Sequence, residues 1–304
     1  MLLRDLGEAG LIQRIRQQFR DANVTLGIGD DTAILEIPTG FSVLFCSDLV
    51  AENTHFIRGM HPADSVGYKA VAVNVSDIGA MGGIPMHFVI SLAAPQDLNL
   101  DWIDGFYRGV ARACREFQVS LVGGDSSSAA SIFVDVAMVG RVKTGRAVLR
   151  SGAIPGDGIF VTGALGNSMR GLRLLQSGDQ ESAAVLRHLY PQPRHEFAAA
   201  IAEKVHAMID ISDGLSTDLA HILEESGVSA RIYRDRIPAA DGANEDEVLH
   251  GGEEYELLIA APDSLSDPML TRIGEIIPSQ GKNEIRLVTG SSESILTPKG
   301  WQHF

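Results

Sequence analysis

The pattern richest in chemistry is aspartate set beside small residues at the ends of apolar runs. Ser47-Asp48-Leu49 closes one such run, Ser76-Asp77-Ile78 falls near a helix end, and Gly124-Asp125-Ser126 follows another run. Asp210-Ile211-Ser212-Asp213-Gly214 follows a fourth, and Asp30-Asp31 follows Gly29. Ligands of α/β folds sit outside the carboxyl ends of the strands. Carboxylates gathered there repel one another unless cations lie between them. Mg²⁺ takes oxygen ligands and keeps coordination positions for substrate phosphates. The set therefore predicts a multi-metal site for a nucleotide polyphosphate. One Asp beside a Gly more often closes a turn or caps a helix; the inference rests on the constellation.

Other chemistries lack their residues. There is no G-x-x-x-x-G-K-[ST], no G-x-G-x-x-G after a strand, no G-x-S-x-G and no H-E-x-x-H. Gly281-Lys282 is the one Gly-Lys pair, and lysine otherwise occurs only at 69, 143, 204 and 299. Phosphate handling here does not use a P-loop lysine. Twenty-five Lys plus Arg against 39 Asp plus Glu give a net charge of −14 over 304 residues. That balance argues against a nucleic-acid or anionic-membrane surface. No apolar run approaches the ~18 residues that span a bilayer, and residues 1–20 have no signal-peptide core. Cys46 and Cys114 form neither a metal spacing nor a disulfide framework. The expectation is a cytoplasmic protein that binds small molecules.

These residues need elements to hold them. Leu6, Leu11, Ile12, Ile15 and Phe19 recur at helical spacing, and further helices are predicted over 63–81, 100–117, 167–176, 196–205 and 216–225. Asp64 and Ser216 are candidate N-caps. Gly27 to Thr32 reads as a loop. Strands are predicted over 42–47, buried and ending at Asp48, and over 87–93, 119–122, 132–142, 158–162, 207–211 and 255–260. Alternation of the two element types argues α/β layers in both halves. The domains are placed at 1–145 and 146–304.

Six segments carry a resemblance to a known family: Gly27 to Ala33 (GIGDDTA), Ser47 to Phe56 (SDLVAENTHF), Asn74 to Gly83 (NVSDIGAMGG), Val122 to Asp125 (VGGD), Asp210 to Gly214 (DISDG) and Gly252 to Leu257 (GEEYEL). In this order they resemble the thiamine-monophosphate kinases, of the aminoimidazole ribonucleotide synthetase-like superfamily. The resemblance implies two α/β domains, with ATP in a cleft lined by both and homodimerisation through the N-terminal sheet. Asp30, Asp48, Asp77, Asp125, Asp210 and Asp213 would ligate several Mg²⁺ ions, with Ser47 adding an oxygen. Tyr107, Gly124, Asp125, Arg150 and Ser212 would contact ATP. His55, Glu253 and Trp301 would contact thiamine monophosphate.

Taken alone, three of these residues have plainer readings beside the functional one. Trp301 either packs the C-terminus or stacks on a flat cationic substrate. His55 is a solvated or capping histidine or a ligand, and Glu253 with Glu254 and Glu256 is a solvated acidic run or a carboxylate facing a cation. Three positions depart from the family pattern. Cys46 stands where Ser or Thr is commoner and, a thiol being a poor Mg²⁺ ligand, would offer a metal only its carbonyl. Glu254 replaces Asp, and Gln302 replaces Asp. The implied reaction is ATP plus thiamine monophosphate giving thiamine diphosphate and ADP, with no general base assigned. The alternatives are another ATP-using member of the superfamily, such as aminoimidazole ribonucleotide synthetase, or a non-catalytic nucleotide-binding regulator.

Overall fold

In the computed structural model, residues 1–19, 24–26, 28 and 32–301 are described, and they divide into two units, Met1–Ile78 with Gly83–Gly145 and Gly79–Gly82 with Arg146–Phe304. The first unit runs α1 (Leu3–Gln18, interrupted at Gly7), β1 (Phe41–Ala51), α2 (Ala63–Ala80), β2 (Ile84–Ala94), α3 (Leu100–Phe117), β3 (Ser120–Ser128) and β4 (Phe133–Lys143). Its strands form one sheet in the order β1-β4-β2-β3. β4 is antiparallel to β1 and β2, and β2 is parallel to β3.

Side chains along β1 alternate between the faces of this sheet. Leu44 and Val50 are buried, whereas Val43, Phe45 and Leu49 are exposed, so the predicted buried strand is covered on one face only. It also runs past Asp48 to Ala51, because β4 offers partners as far as Phe133. Likewise β3 does not stop before Gly123: Gly123, Gly124 and Asp125 pair with Val89, Ile90 and Ser91, and the ladder continues to Ser128. α2 is buried along most of its length, with Ala70, Val71, Ala72, Asn74 and Val75 inaccessible, which suits its nearly continuous apolar sequence. Asp64 lies in its first turn and is not its cap.

The second unit contains β5 (Gly158–Thr162), α4 (Asn167–Gln176), α5 (Ala183–Leu189), α6 (His195–Ile201), β6 (Ala207–Asp210), α7 (Leu215–Ser226), β7 (Ser229–Tyr233), α8 (Glu245–His250), β8 (Leu257–Ala261), β9 (Leu270–Ile277), β10 (Ile285–Thr289) and β11 (Ser292–Ile295). The seven strands form a mixed sheet in the order β11-β10-β7-β9-β5-β8-β6. Every residue of β5, β6 and β8 is buried, because both faces are covered. Ile159, Val161, Ile209 and Leu258 pack with Leu219, Ile222 and Leu223 of α7. On the other face Phe160, Met208 and Ile259 pack with Ala198 and Ile201 of α6. α7 begins one residue before Ser216, so that serine lies inside the helix; Gly214 is its N-cap.

Candidate functional site

In the first unit, β1 and α2 bring several of the candidate ligands together. Cys46 and Asp48, two residues apart on β1, meet Asn74 and Asp77, three apart on α2. The Cys46 thiol donates to Asn74 Oδ1 at 3.5 Å. Asp48 and Asp77 share a hydrogen bond. Burial is the main force pushing the Asp48 carboxyl above its ordinary range, and the charge of Asp135 adds to it; the bond with Asp77 works the other way. A pair of close carboxyls offering only hard oxygen ligands fits Mg²⁺.

Asp125 occupies a different place. Asp48 shares its row of the sheet with Val136, Ile90 and Gly124, whereas Asp125 lies in the next row with Ser91, Asp135 and Leu49. Val136 and Ile90 are buried and Leu49 is exposed, so the two aspartates belong to opposite faces. Three strand spacings of about 4.8 Å also separate their strands, roughly 14 Å in all. One ion with oxygen ligands near 2.1 Å cannot hold both. Ser47, on the exposed face, donates to Asp135 Oδ1 at 2.7 Å. Asp30 lies outside the described residues.

His55 follows β1 in a short loop. The Ala51 amide donates to His55 Nδ1 at 3.0 Å. An acceptor Nδ1 leaves the ring hydrogen on Nε2. The next residue, Phe56, stacks on Trp102, with centroids 6.2 Å apart. Tyr107 is buried against Phe19 and Phe106, and burial pushes its phenol up.

In the second unit the end of β6 and the turn after it gather five of the sequence candidates. Asp210, the last residue of β6, is buried. The Ser212 carbonyl accepts from Glu253 N at 2.7 Å, and the Asp213 carbonyl accepts from Trp301 N at 3.2 Å. Both approaches pass over a glycine: a Cβ on Gly252 would press on the Ser212 carbonyl oxygen, and one on Gly300 would overlap that of Asp213. The Trp301 ring is half-exposed. Arg150 is not brought into this group by any contact of its exposed side chain; its carbonyl accepts from Ser226 Oγ at 3.2 Å, at the far end of α7.

Two carboxylates of the acidic run 253–256, Glu254 and Glu256, are buried rather than solvated. Glu254 Oε1 accepts the amides of Gly166 and Ser168, at 2.9 and 3.0 Å. Burial, opposed by those amides and Arg187, lifts its carboxyl to about 7. Glu256 is held by Arg187, Arg194 and the Thr162 hydroxyl. Glu253 alone turns outward, with φ +60° and its carboxylate 3.4 Å from His188 Nδ1. Sequence reasoning missed Asp135 and Asp218. Asp218 Oδ2 accepts the amides of Asp213 and Gly214, at 3.1 and 3.0 Å, and Asp213, Asp218 and His221 bring ligand atoms within 4.8 Å of one another. The spacing Asp213-Gly-Leu-Ser-Thr-Asp218, one helical turn past a Gly, was the available signal for Asp218.

Comparison with known proteins adds to this geometry. The model of the AIR synthase related protein N-terminal domain matches residues 29–142, and that of its C-terminal domain matches residues 155–277. Thiamine-monophosphate kinase of Aquifex aeolicus (strain VF5) is 38% identical over 321 residues, covering 100% of both chains. The crystal structure of thiamine-monophosphate kinase from Stenotrophomonas maltophilia K279a superposes with a TM-score of 0.81 at 32% identity, over 91% of this chain and 95% of that one. AaThiL complexed with AMPPCP and TMP gives 0.80 at 36% identity, over 100% and 99%.

Proposed function

Because the chain belongs to the thiamine-monophosphate kinase family, we propose that it transfers the γ-phosphoryl group of ATP to thiamine monophosphate, giving thiamine diphosphate and ADP. Full-length similarity to these kinases carries the reading, and the turn that joins Ser212 and Asp213 to Glu253 and Trp301 supports it. One bond forms, between an oxygen of the acceptor phosphate and the γ-phosphorus; one breaks, between that phosphorus and the oxygen left on ADP. The attacking oxygen is already anionic, so no base has to remove a proton, and positioning and charge neutralisation carry the acceleration. Mg²⁺ bound among the aspartates supplies that neutralisation.

The chain's own residues divide the remaining work. Asp48 with Asp77, Asp125, Asp210 and Asp213, together with Asp30, hold the metal ions; Ser47 contributes an oxygen, and Cys46 contributes at most its carbonyl. Tyr107, Gly124, Arg150 and Ser212 contact the nucleotide, with residues 1–145 as the ATP and metal domain. His55 offers its Nε2 hydrogen to the acceptor. Glu253 sets a carboxylate against the cationic thiamine, and Trp301 offers its ring face. Two chains pair through the exposed face of the first sheet, where Val43, Phe45, Leu49, Ile84 and Phe133 stand in water. No helix among the described residues is long and apolar enough to cross a membrane, and we place the enzyme in the cytoplasm, with ATP and reduced thiols.

The test is product analysis with MgATP and thiamine monophosphate, beside thiamine and an aminoimidazole ribonucleotide precursor. Thiamine diphosphate and ADP formed in equal amounts are expected. Turnover of the aminoimidazole precursor instead, or nucleotide binding without turnover, would replace this reading with one of the two alternatives.

A further inference from the structure

Trp301 lies at the end of the described chain, where a free tail would lose much entropy on stacking against a ligand. The tail is not free. Lys299 N donates to Ser216 Oγ at 3.5 Å, Gly300 N to Thr217 Oγ1 at 3.0 Å and Trp301 N to the Asp213 carbonyl at 3.2 Å. Upstream, Leu296 N is tied to the Ile285 carbonyl of β10. Residues 299–301 therefore form a strap along the first turn of α7. The fit leaves room for no side chain at Gly300: a Cβ there would overlap the Asp213 carbonyl oxygen and the Thr217 hydroxyl. The Asp213 carbonyl is backbone at the start of a packed helix and cannot swing aside, so a larger residue must lift the strap.

We propose that Gly300 and Thr217 are positioning residues for the acceptor: docking of the strap on the Asp213 turn pre-pays the ordering of Trp301 and aims its ring. This rests on the reading of Trp301 as an acceptor-binding residue. The same turn holds Glu253 through the neighbouring Ser212 carbonyl, so Glu253 and Trp301, two of the three acceptor residues, hang from one fixed segment, two consecutive peptide units that also carry the nucleotide-side Ser212 and the metal-side Asp213. Neither Gly300 nor Thr217 need touch either substrate.

The experiment compares Gly300→Ala, Thr217→Val, Thr217→Ser, Trp301→Ala and the Gly300→Ala/Trp301→Ala double variant. KM for thiamine monophosphate, KM for ATP and kcat are measured, with amide hydrogen exchange over 296–301. Gly300→Ala and Thr217→Val should speed exchange at 300 and 301. They should raise KM for the acceptor by up to the full loss of an aromatic–cation contact, roughly two- to thirty-fold, and leave KM for ATP within about two-fold. Thr217→Ser, which keeps the accepting oxygen, should restore the wild-type values. The double variant should be no worse than Trp301→Ala alone, because both remove one function. If Trp301→Ala raises the acceptor KM but Gly300→Ala and Thr217→Val do not, the strap has no positioning role and this inference falls alone. If Trp301→Ala has no effect, the inference falls together with the assignment of Trp301. Equal rises in both KM values would make the strap a general structural anchor and also overturn it.

Discussion

Asp48 and Asp77 lie close enough to interact, and burial together with the charge of Asp135 holds the Asp48 carboxyl above its ordinary range. A divalent ion held by the pair would offset their negative charge. Asp48→Asn keeps the size and removes the charge. It should lower kcat by roughly a hundred-fold or more, the scale of losing one strong electrostatic stabiliser, without lowering Tm in EDTA. Near-wild-type turnover at low Mg²⁺ would contradict this role. At Glu254 the consequence is for stability. Its folded-state value is about 7 against an ordinary 4.5, so between those values the native state binds more protons than the unfolded one. Its contribution is fully present below about pH 4.5 and is lost as pH rises through 7, a change on the order of 3 kcal/mol. Glu254→Gln should flatten this part of the stability–pH curve in urea titrations; an unchanged slope would show that the carboxyl ionises freely. Their shared place beside small residues at the ends of apolar runs and of a helix, rather than any one aspartate, made Asp48, Asp77 and Asp213 visible in the sequence. Asp135 was not, because Val134-Asp135-Val136 reads as ordinary alternation on a strand. The Gly300–Thr217 contact joins residues 83 apart, beyond any local pattern.

Helix α7 shows how an element can be anticipated and its start misread. The apolar spacing of Leu215, Leu219, Ile222 and Leu223 locates the helix, and Ser216 looks like the cap. The first amides are instead closed from within, by Asp218 reaching back to Asp213 and Gly214. Burial, then the charges of Asp210 and Asp213, push the Asp218 carboxyl well up, against the pull of the two amides that it accepts. Asp218→Asn, of the same size and still an acceptor for both amides, should leave stability close to wild type. Asp218→Ala strands both amides and should cost roughly 1–3 kcal/mol in chemical denaturation. Equal losses in the two variants would mean that charge, rather than the amide bonds, sets its contribution. The strand ends were misjudged for a related reason: β1 and β3 extend past Asp48 and Asp125 because partner strands elsewhere in the sequence supply the ladder. The run 253–256 was open to a solvated reading for the same cause, since Arg187 and Arg194, which neutralise Glu256, come from a segment some sixty residues earlier.

At the scale of the molecule, the first sheet leaves an apolar face in water, and Phe45, 70% exposed, is its most prominent side chain. Pairing through that face predicts that light scattering gives twice the chain mass and that Phe45→Glu gives the single-chain mass; an unchanged dimer would place the interface elsewhere. The last expectation concerns the choice of nucleophile. Thiamine should be a far poorer acceptor than its monophosphate. Its hydroxyl would have to lose a proton, and the one histidine among the acceptor residues is unsuited to take it: His55 Nδ1 is occupied by the Ala51 amide, which leaves the ring a donor at Nε2. Thiamine also lacks the phosphate that metal ions held by the aspartates would align with the γ-phosphoryl group, so it forfeits positioning as well. ADP release is the readout, with each compound, in wild type and in His55→Asn. His55→Asn should raise KM for the monophosphate, because it disturbs a hydrogen bond to the acceptor, and should leave the pH profile of kcat without a new limb. Comparable rates with thiamine and its monophosphate would overturn the mechanism, since a site that activates a hydroxyl needs a base that these residues do not provide. A His55→Asn loss confined to kcat, with a wild-type limb near neutrality that the variant lacks, would make that histidine the base and require its ring to release the Ala51 amide during turnover.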